Sequence, residues 1–337
     1  MSAPPTSPRT PADHRAEELR VWLALLVVYV VWGSTYLAIR IVVADLPPLL
    51  SAGLRFLLAG SVVAVAVAIR SGPGRLRVER RRLASVALVG ALLLLGGNGL
   101  VVLAEQTVPS ALTALIIAST PIWVVVLRTI TGDRVARGTL LGVAVGFVGV
   151  GALVVPAGLS GNVEALGLGM LIIASICWAT GSFVSSRLPL PADPFVSTSY
   201  QMLAGGALML VAGTLRGEPF APATWVETPD ALLALGYLVV FGSLAAFSAY
   251  TWLLQHAPIS RVATYAYVNP VVAVVLGAVI LSESITPAML VGGAVIVTGV
   301  ALIIRHEAGV RRAREEAAAA GASSQSIEDE AEAAPEA

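Results

Sequence analysis

The sequence contains no lysine, one cysteine and three histidines, and charged residues occupy only 12% of its 337 positions. Soluble domains carry roughly 25% charged residues. Half that value leaves too little polar surface to cover a water-soluble globule of this size. With 57% hydrophobic residues and a mean hydropathy of +0.85, lipid is the expected solvent for most of the chain. The missing lysine excludes a P-loop, whose Lys sits on the nucleotide phosphates. Cys177 alone can form neither an internal disulfide nor a cysteine metal site, and it reads as a small buried hydrophobe. His14, His256 and His306 are not paired as metal ligands, and no acidic pair lies at midplane depth. These shortages disfavour a membrane-embedded enzyme; no cofactor, no metal and no nucleic-acid partner are expected.

What is present is a series of long apolar runs. A span needs about 20 mostly apolar residues, and ten candidates result: 21–43, 48–70, 83–105, 109–128, 138–156, 165–187, 194–214, 231–254, 259–281 and 287–304. The first run is too long for the core of a signal peptide and reads as a retained span. The 21 cationic residues are all Arg, and their placement supports the count. With the N-terminus inside, Arg9, Arg15, Arg20, Arg70, Arg75, Arg77, Arg80, Arg81, Arg82, Arg128, Arg134, Arg137, Arg187, Arg261, Arg305, Arg311, Arg312 and Arg314 share one face. Only Arg40 and Arg216 fall on the other, and Arg55 lies within a span. This is the asymmetry of the positive-inside rule, with both termini cytoplasmic in a cell or inner membrane. Residues 1–20 form a polar tail, and residues 306–337 an Arg-then-Ala/Glu tail expected to be a short frayed helix and then disorder.

The two halves repeat. Trp32 recurs as Trp178, Ser51 as Ser197 and Gly60 as Gly206, each 146 residues on. Thr120-Pro121 matches Asn269-Pro270 at 149, and Gly142, Gly149 and Asp133 match Gly292, Gly299 and Glu283 at 150. The repeats cover 21–156 and 165–305, five spans each. An odd number of crossings forces the second copy to enter from the opposite side. Such inverted repeats supply two mirror-related conformations from one fold, the basis of alternating access. The expected fold is therefore all-α and integral to the membrane, ten helices as two inverted five-helix repeats. Loops nearly all shorter than 20 residues leave no room for a sensor domain.

The run from Val31 through Trp32-Gly33-Ser34-Thr35-Tyr36 to Arg40, followed by Gly53-Leu54-Arg55-Phe56, resembles the first EamA repeat of the drug/metabolite transporter superfamily. Asn269-Pro270 through Thr286, with Gly292 to Gly299, is similar to the end of the second. Gly97-Asn98-Gly99, Glu105 and Val108-Pro109-Ser110 are similar to the YedA-like exporter branch. The resemblance implies a ten-helix inner-membrane exporter of small metabolites, amino acids or drugs, driven by a gradient or by exchange. An uptake permease or a membrane-embedded enzyme stays the alternative. Direction rests on the resemblance alone.

Transporter substrates bind near the midplane at the repeat interface, beside broken helices. At that level lie Trp32, Ser34 and Tyr36 in the first span and Trp178 and Ser182 in the sixth, as aromatic walls or as packing against Gly33 and Gly181. Pro121 and Pro270 kink spans 4 and 9. Thr120 and Asn269 either satisfy the freed carbonyls or face a cavity, with Tyr265 and Tyr267 about one turn away. Asn98 in span 3 is either interhelical glue or a ligand contact. Glu105, Asp133 and Glu283 lie near span ends. Capping or gating suits Asp133 and Glu283, whereas Glu105 is the better candidate for proton coupling. Arg55 is expected to snorkel to the interface, in preference to the alternative of binding an anion. The neutral, aromatic midplane suggests an uncharged, zwitterionic or lipophilic solute. The glycines of spans 5 and 10 allow close helix contact within a monomer or across a homodimer.

Overall fold

A computed structural model describes residues 11–133, 135–159, 163–221, 225–257, 262 and 264–332. Ten helices carry the fold: α1 (Pro11–Asp45), α2 (Pro48–Ser71), α3 (Arg80–Ala104), α4 (Ser110–Ile130), α5 (Arg137–Leu159), α6 (Ala165–Ser185), α7 (Pro194–Leu215), α8 (from Pro229–Tyr237 through Ala246–His256), α9 (Tyr265–Ile280) and α10 (Pro287–Glu332). Among the described residues nine helices are long and apolar enough to cross a bilayer; in α9 the apolar stretch is the shorter Val268–Ile280. The expected start of that span, 259–261 and 263, lies outside the described residues.

Helix starts follow local chemistry. Proline opens α2, α7, α8 and α10, where its missing N–H is one of the orphan donors anyway. Asp193 accepts from the N–H groups of Phe195 and Val196 at the head of α7. Glu218, far along the chain, accepts from Leu49 and Leu50 at the head of α2. Two boundaries differ from expectation. Helix α1 begins at Pro11 instead of near 21, and α10 runs on to Glu332 where a frayed and then disordered tail was expected. Alanine, Arg and Glu are strong helix formers, so the tail continues the helix that feeds it.

The exposed faces are apolar. On α2, Leu58, Val62, Val65 and Ile69 point outward while Ala52, Phe56, Ala59 and Val63 are buried. The outward set repeats at helical spacing, which in water would be a large apolar patch. In lipid it is the surface a membrane helix needs.

Packing obeys the repeat. Helix α1 lies against α8 and α9, and its mate α6 lies against α3 and α4. Helix α2 packs on α7, and α5 on α10. A Cβ placed on Gly53 would lie 2.9 Å from the Gly206 carbonyl oxygen. The repeat mates of that pair, Ser199 and Gly60, are joined by a 2.9 Å hydrogen bond from Ser199 Oγ to the Gly60 carbonyl. Likewise a Cβ on Gly142 would meet the Gly299 carbonyl at 2.8 Å, and one on Gly292 the Gly149 carbonyl at 3.2 Å. Each contact thus has its partner under exchange of the repeats. The small-residue faces of α5 and α10 are used against each other within one chain.

A feature invisible to hydropathy occurs in both halves. Ala91–Gly99 of α3 and Leu238–Ala245 of α8 are wound as π-helix, at positions that overlap under the repeat offset. Long π runs are rare, and short ones cluster at functional sites.

Candidate functional site

The two π-helical stretches flank a central cavity of about 100 Å³. One water needs roughly 10–15 Å³ on this measure, so there is room for a small organic molecule. Its lining is drawn from both repeats. Trp32, Thr35, Tyr36 and Ile39 come from α1, Arg55 and Phe56 from α2, and Gly97, Asn98 and Val101 from α3. Thr120 and Pro121 come from α4, Trp178 from α6, Gly242 and Phe247 from α8, and Tyr265, Asn269 and Pro270 from α9.

Repeat mates meet here. The rings of Trp32 and Trp178 lie edge to face, centroids 6.4 Å apart. Trp32 also contacts Phe247, Tyr250 and Tyr265, with centroids at 6.1, 4.9 and 5.4 Å. Its indole N–H donates to the Gly242 carbonyl at 3.3 Å, the partner that a buried indole requires. One ring therefore walls the cavity and fastens α1 to the π-helical part of α8.

Pro121 and Pro270 both border the cavity, and the backbone that Pro121 disturbs is mended locally. Pro121 has no N–H for the Ile117 carbonyl, and Thr120 Oγ1 donates to that oxygen at 2.7 Å. Helix α4 is broken between Ile117 and Thr120. Asn269, with its amide turned to donate, reaches the carbonyls of Tyr265 and Tyr29, both at 3.2 Å. Both residues line the cavity while their hydrogen bonds serve the helices. Asn98 borders it with no side-chain hydrogen bond among the described residues.

Not every candidate arrives. Ser34 donates to the Val31 carbonyl and pairs with the Tyr237 hydroxyl at 2.6 Å; Ser182 donates to the Trp178 carbonyl at 2.8 Å. Neither lines the cavity. The side chain of Tyr267 lies outside the described ones.

Two charged groups are buried, and one of them departs from expectation. Arg55 does not snorkel: it is 5% exposed, donates from Nε to Ser243 Oγ at 2.9 Å, and borders the cavity. Glu105, expected near a span end as the better candidate for proton coupling, is fully buried. Among the described residues neither of its carboxylate oxygens has a hydrogen-bond partner, although Arg40 donates to its main-chain carbonyl. Glu283 accepts from Ser110 N and Oγ at 2.8 and 2.9 Å and from Ala111 N at 3.0 Å, capping α4. Its repeat mate Asp133 is held at the Arg-rich end by Arg187 at 3.0 Å and Arg128 at 3.5 Å.

Comparison with known proteins agrees with this architecture. The model of the EamA-like transporter family matches residues 19–155 and again 165–305. The uncharacterized inner membrane transporter YedA of Escherichia coli K12 is 37% identical, over 83% of this chain and 89% of its own length. A probable terminal-alkyne amino-acid exporter of Streptantibioticus cattleyicolor is 29% identical, over 87% of this chain and 95% of its own. A solved crystal structure, 22% identical, superposes with a TM-score of 0.59, covering 86% of this chain and 97% of that one, and speaks for the fold alone. Two family matches on the two halves of a ten-helix bundle leave one assignment: the chain is a multi-pass membrane protein that belongs to the EamA-like transporter family.

Proposed function

We propose that this protein is a secondary active transporter that exports small metabolites, amino acids or drugs by alternating access, from an inner membrane in which both termini face the cytoplasm. One observation carries the reading: the central cavity is lined by mates from two repeats of opposite entry, Trp32 with Trp178 and Pro121 with Pro270. A site on such an axis is reached from either side when the halves exchange conformations. The relatives named as an inner membrane transporter and an amino-acid exporter favour export and the inner membrane. The aromatic walls and Asn98, Thr120 and Asn269 contact the substrate. Glu283 and Asp133, repeat mates at opposite ends of the bundle, act as ties that close one end and then the other.

Coupling is assigned to Glu105. A buried carboxylate with no hydrogen-bond partner among the described residues is costly when ionised, and acids of this kind mark proton pathways. Glu105→Gln then abolishes gradient-driven export while leaving exchange of substrate, and the pH dependence of transport disappears with it. Unchanged pH dependence in vesicles holding this variant would sink the assignment.

The transport reading is tested by profiling solutes in medium and cytoplasm. Cells expressing the parent chain are compared with cells expressing Trp32→Ala/Trp178→Ala, at matched surface levels. A compound enriched outside only with the parent establishes export through this cavity. Equal export by both would move the site to Asn98, Thr120 and Asn269. No compound moving in either would remove the exporter reading.

A further inference from the structure

The cavity is bordered by one positive charge, Arg55, which lies 4.7 Å from the centre of the Phe56 ring and has no acidic partner among the described residues. Arg55 is 5% exposed and makes no ion pair among the described residues. Its Nε is anchored on Ser243 Oγ at 2.9 Å. A Cβ built on Gly242 would lie 3.0 Å from Arg55 Nη2 and 3.2 Å from the Thr35 methyl. A side chain at 242 would therefore press on the guanidinium and displace it by a few tenths of an ångström. With Nε occupied, the terminal nitrogens are the donors left over, and the side chain borders the cavity.

A lone cation in a membrane interior is costly, and such groups pair with an opposite charge or face a water-filled space. Here the rest of the lining sets Trp32, Phe56, Trp178, Phe247 and Tyr265 beside the uncharged polar Thr35, Asn98, Thr120 and Asn269. The planar guanidinium fork matches a carboxylate bidentately. Aromatic faces suit an apolar body, and they also attract an ammonium group when the solute carries one.

We infer that the transported solute is a small monocarboxylate with an apolar body, an amino acid or a plain organic acid, whose carboxylate is received by Arg55 as positioned by Ser243 and Gly242. The inference deepens the transport reading and rests on it. It replaces the expectation of a neutral midplane, because the charge expected at the interface is at the cavity.

The test has two steps. Medium from cells expressing the parent chain, Arg55→Gln or no transporter is profiled for every compound that accumulates. The exported compound and its carboxamide derivative are then titrated against the purified protein, with ligand-induced thermal stabilisation as the readout. The expected result is that exported compounds carry a carboxylate and the carboxamide fails to stabilise. Arg55→Gln should raise the apparent KM about 10- to 100-fold, as loss of a charge-assisted pair would. Arg55→Lys should fall between, keeping the charge and losing the fork. Ser243→Ala should raise KM with maximal rate kept, an effect confined to orientation. If Arg55→Gln does not give a monodisperse protein, the Lys and Ser243 variants decide. Exported compounds without a carboxylate, or equal handling of acid and carboxamide, would overturn the inference and leave transport standing. So would carboxylates exported equally well by the Arg55 variants. No exported compound at all would overturn the transport reading beneath it. Whether the solute has an amino group, and so whether it is an amino acid or a plain acid, is read directly from the profile.

Discussion

Thr120 shows how much one side chain does beside a proline. Its hydroxyl supplies the donor that Pro121 removes, at 2.7 Å from the Ile117 carbonyl. Thr120→Val keeps the shape and removes that donor. The expected cost is about 1 kcal/mol, the net worth of a neutral hydrogen bond, visible as a lower melting temperature of the purified protein. An unchanged melting temperature would mean that the Ile117 carbonyl finds another donor. The repeat pairing of Trp32 with Trp178 and of Thr120 with Asn269 was legible from residue offsets, because duplicated positions in inverted copies converge on one axis. Ser34 and Ser182 looked equivalent by depth, yet their hydroxyls bond to carbonyls three or four residues back in their own helices, as Ser and Thr in helices often do. Arg55 was misjudged for the same reason: depth along a span is readable from sequence, but which way the helix faces is not. That phase is settled by neighbours such as Ser243 and Gly242, whose proximity is a property of the folded bundle.

Helix pairs are held by positions where no side chain fits. A Cβ on Gly299 would lie 2.6 Å from the Gly146 main-chain nitrogen, so Gly299→Leu must push α10 away from α5. The expected outcome is loss of monodisperse protein and of surface expression. Gly151, with nothing within 4 Å of a built Cβ, provides the contrast: Gly151→Ala should express as the parent does. Equal behaviour of the two variants would refute this account of the α5–α10 contact. The head of α4 gives a second check. Glu283→Ala leaves the N–H groups of Ser110 and Ala111 and the Ser110 hydroxyl without their acceptor, at an expected cost of about 1–2 kcal/mol for a lost N-cap. Thermal unfolding in detergent measures it. The helices themselves were readable from hydropathy, and the starts of α2, α7 and α10 fell where the apolar runs began. Caps supplied from distant loops, Glu218 for α2 and Glu283 for α4, were beyond local reading because the acceptor is far away in sequence.

At the scale of the molecule, ten crossings and the Arg distribution predict that reporters fused after residue 305 are active on the cytoplasmic side. Reporters placed in the link between α7 and α8, beyond Arg216, should be active on the opposite side. A C-terminal reporter found outside would break the ten-crossing count and the inversion of the repeats with it. The fold class, the duplication and the central location of the cavity were all visible in sequence. The winding of α3 and α8 was not, since apolar residues such as Leu92, Leu93, Leu94 and Leu95 give no periodic cue there.

That winding has a mechanical meaning. In a π-helix each N–H reaches one residue farther back than in an α-helix, and helices bend readily where the two windings meet. A bend elsewhere in lipid would strand carbonyls with no donor. In Ala91–Gly99 and Leu238–Ala245 the bonds can be traded one at a time, from one register to the next, so that every carbonyl keeps a partner as the axis swings. Two such joints therefore border the cavity, one in each half, and a bend at one has a counterpart ready-made in the other.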